Sequence, residues 1–142
     1  GVDAIVHCGD VVAPFTAAEF DVGIEFHAVY GNNDGEPALA GTVEGFGSHH
    51  GESAHLRFDG VDLAVYHGTS ERLVEALVGC GDYDYVVRGH THERTCEERD
   101  RTVHVNPGGL PFPGVDDTYH VATLDTDAGD GADAVTFHGI EP

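Results

Sequence analysis

Apolar residues recur along the chain in short runs that break on glycine or on a polar turn. Ala4–His7 closes on Cys8-Gly9-Asp10, residues 24–30 on Gly31-Asn32-Asn33-Asp34-Gly35, and residues 83–87 on Arg88-Gly89-His90-Thr91-His92. Such runs, bounded by turn signals, have the length and composition of buried parallel strands. Ser53–Phe58 and Val61–Tyr66 alternate around Asp59-Gly60, a dipeptide suited to a tight hairpin. Residues 93–98 with 101–105, and Tyr119–Leu124 with 134–140, predict two further hairpins. Helical spacing over 14–20, with Pro14 at a first helical position, predicts a short helix, and 37–40 a shorter one. Over 70–78 the periodicity predicts a helix capped by Ser70 and stopped by Gly79 or Gly81, with Leu73, Val74, Leu77 and Val78 on its packed face. Strands alternating with helices define an α/β chain, and the length fits a single domain over residues 1–142.

Charge changes this picture. Acidic residues number 26 against 6 basic ones, for a formal net charge of -20. A surface so charged repels itself in dilute buffer, whereas molar salt shortens the Debye length to about 3 Å and screens the repulsion. The expected setting is the salt-rich cytoplasm of a halophile. With 40% hydrophobic content in regular runs, an acidic disordered segment is excluded. Non-specific nucleic-acid binding is not expected, because few cations are present to displace counterions from phosphates. No apolar stretch approaches the length that spans a bilayer, and the N-terminus lacks the regions of a signal peptide, so no membrane association is expected. Cys8, Cys80 and Cys96 form no Cys-x-x-Cys pair and read as reduced thiols, Cys8 as a core residue.

The candidate chemistry sits where strands end. His90 and His92, separated by one residue, point to one side of an extended backbone and can serve one site. Alone, such a pair is a weak signal. Alone, Gly9-Asp10 would read as a helix cap or turn, and Gly31-Asn32-Asn33 as a turn tolerant of left-handed geometry. His67-Gly68 adds a further ligand-type residue beside a glycine after an apolar strand. The remaining histidines read differently. His49 and His50 are placed in a loop facing solvent, His104 alternates with Val103 and Val105 and is expected to face solvent, and His120 and His138 are structural or exposed. Residues 125–131 have the acidic spacing of an EF-hand loop, but the third oxygen ligand is out of register and no Glu closes it, so the stretch reads as an acidic hairpin turn.

In their order, Gly9-Asp10, Gly31-Asn32, His67-Gly68 and Gly89-His90-Thr91-His92 resemble the calcineurin-like metallophosphoesterases. The likeness is greatest to their small single-domain archaeal and bacterial phosphodiesterases, through Tyr30-Gly31-Asn32-Asn33-Asp34-Gly35-Glu36 and Gly89-His90-Thr91-His92-Glu93-Arg94. The resemblance implies a layered α/β/β/α sandwich and a hydroxide bridging two divalent metals that attacks a phosphate ester. It implies that Asp10, Asn32, His67 and His90 hold one ion and that Asp10 and His92 contribute to the other. Mixed oxygen and imidazole donors suit manganese, nickel, iron, cobalt and zinc better than calcium or magnesium, and the resemblance makes manganese the first candidate among them. It also implies a catalytic group of Asp10, Asn33 and His92 acting on a small phosphate ester.

The chain departs from the family at two places. Most members have histidine where Asn33 stands, and an amide cannot act as a general acid, so a preference for activated, aryl-like leaving groups is expected. Members also begin with a strand ending in Asp-x-His, a motif that residues 1–142 do not contain, and the chain does not begin with methionine. The expectation is therefore a fold lacking its first strand and helix, with a second metal site short of ligands and impaired activity. Two other readings stay open: a non-catalytic member of the fold serving as a binding scaffold, as in vesicle-sorting complexes, or an inactive fragment, and a generic acidic α/β domain with coincidental histidines. The sequence leaves homo-oligomerisation and the substrate open.

Overall fold

A computed structural model describes residues 1–128 and 131–141. Three strands, β1 (Ala4–His7), β2 (Glu25–Ala28) and β3 (Ser48–His49), form one parallel sheet in the order β1-β2-β3. A second, five-stranded sheet takes β4 (Ser53–Phe58), β5 (Val61–Tyr66), β6 (Tyr85–Val87), β7 (Thr95–Arg99) and β8 (Thr102–Asn106) in the order β4-β5-β6-β8-β7. A separate hairpin pairs β9 (Tyr119–Leu124) with β10 (Val135–Ile140). The helices are α1 (Pro14–Ala17), running into a 3-10 turn at Ala18–Phe20, α2 (Ala38–Glu44) and α3 (Glu71–Gly79).

Three apolar clusters define the layers. Val11, Ala17, Leu39 and Val43 pack from α1, α2 and the loop before them onto Phe26 and Ala28 of the first sheet. Between the sheets lie Val29, Leu56, Leu63, Val65, Tyr85, Val103 and Val105, with Val6 and Cys8 against them. Beyond the second sheet, Val74 and Val78 of α3 cover Ala64, Tyr66 and Val86. The order is helix, sheet, sheet, helix, as expected. Period-2 geometry explains it, since alternate residues of β5 serve opposite faces, Leu63 and Val65 inward and Ala64 and Tyr66 toward α3. The Asp59-Gly60 hairpin forms with both residues at positive φ, 50° and 82°, the conformation its two-residue turn demands.

Some expectations need correction. His104 does not face solvent: all of β8 is buried, because β6 and β7 flank it while α3 covers one face, so alternation carries no exposed side. The His104 Nδ1 lies 2.9 Å from a Glu97 carboxylate oxygen instead. His49 is not in a loop but ends β3, half-buried against the ring of Tyr30, and only His50 is exposed. Leu73, placed on the packed face of α3, is half exposed, and Val74 and Val78 carry that interface. The short helix expected at 37–40 continues to Glu44. His120 is buried and His138 exposed. Of the acidic turn at 125–131, Gly129 and Asp130 lie outside the described residues.

Candidate metal and phosphate site

The loops after β1, β2, β5 and β6 meet at one end of the sheets, where parallel strands deliver their C-terminal residues. His67, 3% exposed, anchors the centre. Its Nδ1–H donates to the Cys8 carbonyl at 2.8 Å. A carbonyl only accepts, so that bond fixes the tautomer and leaves the Nε2 lone pair free. Nε2 stands 2.9 Å from Asn32 Oδ1 and 3.3 Å from Asp10 Oδ2, and His90 Nδ1 is 3.1 Å from the same Asn32 oxygen.

Four of the five expected ligands, Asp10, Asn32, His67 and His90, are therefore brought together. The fifth is not. His92 Nδ1–H donates to the Leu110 carbonyl at 3.1 Å, and its ring stacks on Phe112. Asn33 turns toward Asp10, its backbone N–H donating to Oδ1 at 2.8 Å and its amide to Oδ2 at 3.0 Å.

The donor set suits a cation. A lone pair on His67 faces two acceptor oxygens, an arrangement that a shared positive charge stabilises. Rotating the Asn32 amide would satisfy the rings but would leave the Asp10 carboxylate against a lone pair. Among the described residues no three His, Cys, Asp or Glu side chains form a finished metal cage. The convergence depends on the Asn32 amide. Cys8 offers no thiolate here, because burial pushes its thiol up to about 12. Burial likewise pushes the His7 imidazole below its ordinary range, against the opposing pull of Asp34 and Asp10.

The backbone is bent to make this site. Asp10, His90 and His92 all have left-handed φ, 63°, 70° and 60°, as does Val12 at 77°. Such positions cost about 1–3 kcal/mol each and persist where the surroundings over-determine them. Three residues outside the expected set supply that restraint. The Asp34 carboxylate accepts the backbone N–H groups of Asp10, Val12 and Gly31 at 2.7 to 2.8 Å, clamping the first loop to the second. Asn106 donates to the Gly89 carbonyl and to Thr91 Oγ1, holding the His90–His92 turn from beneath. Arg88, 3% exposed, bonds the Gly68 and Gly89 carbonyls and forks onto Glu71.

Two glycines permit the close approach. A Cβ on Gly9 would sit 2.7 Å from the Gly31 nitrogen and 2.8 Å from His67 Nδ1, and one on Gly31 would strike Asp10 itself. Gly31→Ala is expected to displace Asp10 and lower manganese affinity by about 10–100-fold, the scale for losing a ligand's support. Titration calorimetry reads the affinity, and unchanged far-UV circular dichroism would show that the fold persists.

A two-layer sheet core with acidic, amide and imidazole donors at its strand ends defines a metallophosphoesterase-type protein. Residues 1–129 match the family model of the calcineurin-like phosphoesterase superfamily domain, and the chain belongs to that family. Over 128 residues it is 34% identical to phosphodiesterase MJ0936 of Methanocaldococcus jannaschii, covering 82% of this chain and 77% of that one. The solved structure of an archaeal phosphodiesterase superposes with a TM-score of 0.85 at 29% identity, over 98% of this chain and 84% of the other. Vacuolar protein sorting 29 from Cryptosporidium parvum shares the fold, with a TM-score of 0.64 at 17% identity over 99% and 83% of the two chains.

Proposed function

We propose that this protein is a metal-dependent phosphodiesterase. The convergence of Asp10, Asn32, His67 and His90 on one point carries the reading, and the named activity of its 34%-identical relative supports it. Two divalent ions, manganese first among candidates, would supply positive charge beside the phosphoryl oxygens and a nucleophile derived from water at neutral pH. Asp10, Asn32, His67 and His90 would hold one ion, and Asp10 with His92 would contribute to the second. Asp10 has two carboxylate oxygens for two neighbours. His67 is held in the liganding tautomer by the Cys8 carbonyl. His92 carries its proton on Nδ1 toward Leu110, which presents Nε2 as the unprotonated nitrogen. Asn33 braces Asp10, and its amide, once a cation takes up the carboxylate's charge, can turn to a phosphoryl oxygen.

The test is manganese-dependent hydrolysis of bis(p-nitrophenyl) phosphate in high salt, with Asp10→Ala and His90→Ala as controls. Activity unchanged in both variants would remove the site assignment. Because Asn33 cannot protonate a departing alkoxide, rates should fall steeply as the leaving group's pKa rises. A series of aryl and alkyl esters under chemistry-limited conditions measures that slope, and equal rates would contradict it.

The contrasting reading is a metallophosphoesterase-fold scaffold. One observation favours it: His92, the expected ligand of the second ion besides Asp10, is turned onto Phe112 and the Leu110 carbonyl. Its expected signature is binding of a single metal without turnover.

We also propose that the protein works in a salt-rich cytoplasm. With a formal charge of -20, its melting temperature should climb between dilute buffer and molar potassium chloride as self-repulsion is screened. A melting curve flat in salt would contradict this. No helix of the described residues is long and apolar enough to cross a membrane.

A further inference from the structure

The loop leading from Asn106 back to β9 meets the site at His92, through the Leu110 carbonyl and the Phe112 ring, and beyond that contact it is built with care. Phe112 and Asp116 form an antiparallel bridge, with Phe112 N–H donating to the Asp116 carbonyl at 2.8 Å and Asp116 N–H returning to the Phe112 carbonyl at 3.1 Å. Gly114, at φ 84°, closes the turn between them. The Asp116 carboxylate fastens the loop from below, accepting from Arg94 Nε at 2.9 Å and from the Thr118 N–H at 3.1 Å.

What this frame holds out is apolar. Leu110, Phe112 and Val115 are all about half exposed or more, close together on one loop of a strongly acidic chain. Phe112 and Val115 line an open cavity of about 610 Å³ with Pro111, Pro113 and Arg94, within the size range of small-ligand sites. The cavity abuts the proposed reaction centre through one contact, since the Phe112 ring stacks on His92 with centroids 5.1 Å apart and planes 23° from parallel.

Charge selects the kind of ligand. The cavity's cation, Arg94, is already paired with Asp116, and Asp117 adds a further negative charge. An anionic group would be repelled. A neutral flat group would meet proline and phenylalanine surfaces and the face or edge of an aromatic ring.

We propose that the Leu110–Asp116 loop is a substrate subsite for a neutral planar aromatic arm of the phosphodiester, a phenyl-type ring or a nucleobase, with Phe112 as the specificity-determining residue. This deepens the phosphodiesterase reading and rests on it. It is separate from the leaving-group preference assigned to Asn33, which acts on bond breaking, whereas Phe112 acts on binding.

Titration calorimetry with diphenyl phosphate and dimethyl phosphate, in the presence of manganese, reads the subsite without turnover. Diphenyl phosphate is expected to bind the wild-type chain about tenfold more tightly, and Phe112→Leu, which keeps an apolar side chain but removes the ring, to erase about fivefold of that preference. Equal affinities in the wild type, or a preference that survives in Phe112→Leu, would overturn the proposal. A parallel kinetic comparison uses p-nitrophenyl phenyl phosphate and p-nitrophenyl methyl phosphate, which share a leaving group. Phe112→Leu should raise KM for the phenyl ester about fivefold and leave that for the methyl ester within twofold. Equal effects on both esters mean that Phe112 acts only through His92, and the subsite is then wrong. Absence of hydrolysis with the diphenyl preference intact would instead sink the phosphodiesterase reading alone.

Discussion

Asp10→Ala is expected to lower manganese-supported hydrolysis of an aryl phosphodiester by about 10³-fold, the scale seen when one preorganised charge-stabilising group leaves a reacting site. The loss should appear in kcat and in metal affinity together, because the same carboxylate faces both proposed ions. Stability should not fall with it. Asp10 is one of the carboxylates behind the net charge of -20, and relief of self-repulsion on its removal offsets the loss of the bonds it accepts from Asn33, so a melting temperature close to that of the wild type is expected. His67→Ala should remove activity to a similar degree but lower the melting temperature as well. Its imidazole is 3% exposed and is the partner of the Cys8 carbonyl, and a buried carbonyl left without a donor is costly. The pair thus separates a residue that serves chiefly chemistry from one that serves chemistry and packing. Equal thermal behaviour of the two variants, measured by circular dichroism or calorimetry, would contradict that division.

Arg88→Met carries the largest expected stability loss. The guanidinium is buried, bonds two backbone carbonyls at Gly68 and Gly89, and forks onto Glu71 at the start of α3. Removing it deprives both loop carbonyls of a charged donor, and each such bond is worth about 1.5–3 kcal/mol. A net loss of about 3 kcal/mol corresponds to a melting temperature lower by roughly 10 °C in a domain of this size. Lysine should not rescue it, since a point charge cannot reproduce the planar fork. Gly68 reinforces the geometry: at φ 98° it passes so close to Arg88 that a Cβ would lie 2.6 Å from Nε.

Glu71 gives the pair a pH signature. Its hydrogen bond to Arg88 is the main cause of a carboxyl pKa below the ordinary value. A depressed folded-state pKa contributes stability that is present above the unfolded value and is lost as pH falls through the folded one. Wild-type stability should therefore drop on acidification below about pH 4.5, and Glu71→Gln should flatten that part of the profile. Chemical denaturation at a series of pH values checks it.

The strands were legible because a half-buried strand alternates and the turn residues between strands have backbone reasons to be where they are. Asp59-Gly60 and the Ser70 cap are read from two or three neighbouring residues and appear in the structure as hairpin turn and helix start. Legibility fails where burial is decided from far away. His104 looks like the outward member of an alternating strand until α3 is laid over it, and His49 looks like a loop residue until β2 supplies a partner strand. Leu73 fits a helical stripe, but α3 sets Val74 and Val78, with Leu77 beside them, against its sheet.

At the site, the glycine-flanked Asp10, Asn32, His67 and His90 announce themselves as residues placed at strand ends where the chain must turn sharply. Their restraints do not. Asp34 sits inside a readable phrase, yet its role as acceptor for three backbone N–H groups spans 24 residues of chain. Arg88 directly precedes the Gly89-His90 turn and would have drawn notice only as a cation closing an apolar strand. The Asn106-Pro107-Gly108 turn resembles a family phrase lying beneath the site, yet the bond by which Asn106 supports a turn 15 residues upstream is not written in it. The contact between His92 and Phe112 lies equally beyond local pattern, since nothing in the sequence ties the ring of one to the carbonyl and ring that hold it.

The central claim is that Asp10, Asn32, His67 and His90 share a divalent ion. Anomalous diffraction at the manganese edge, from crystals grown in molar salt with manganese, locates the ion without relying on turnover. A peak within bonding distance of Asp10, the Asn32 amide oxygen, His67 Nε2 and His90 Nδ1 is the predicted result. Well-ordered side chains at those four positions with no peak among them, or manganese held only elsewhere, would contradict it.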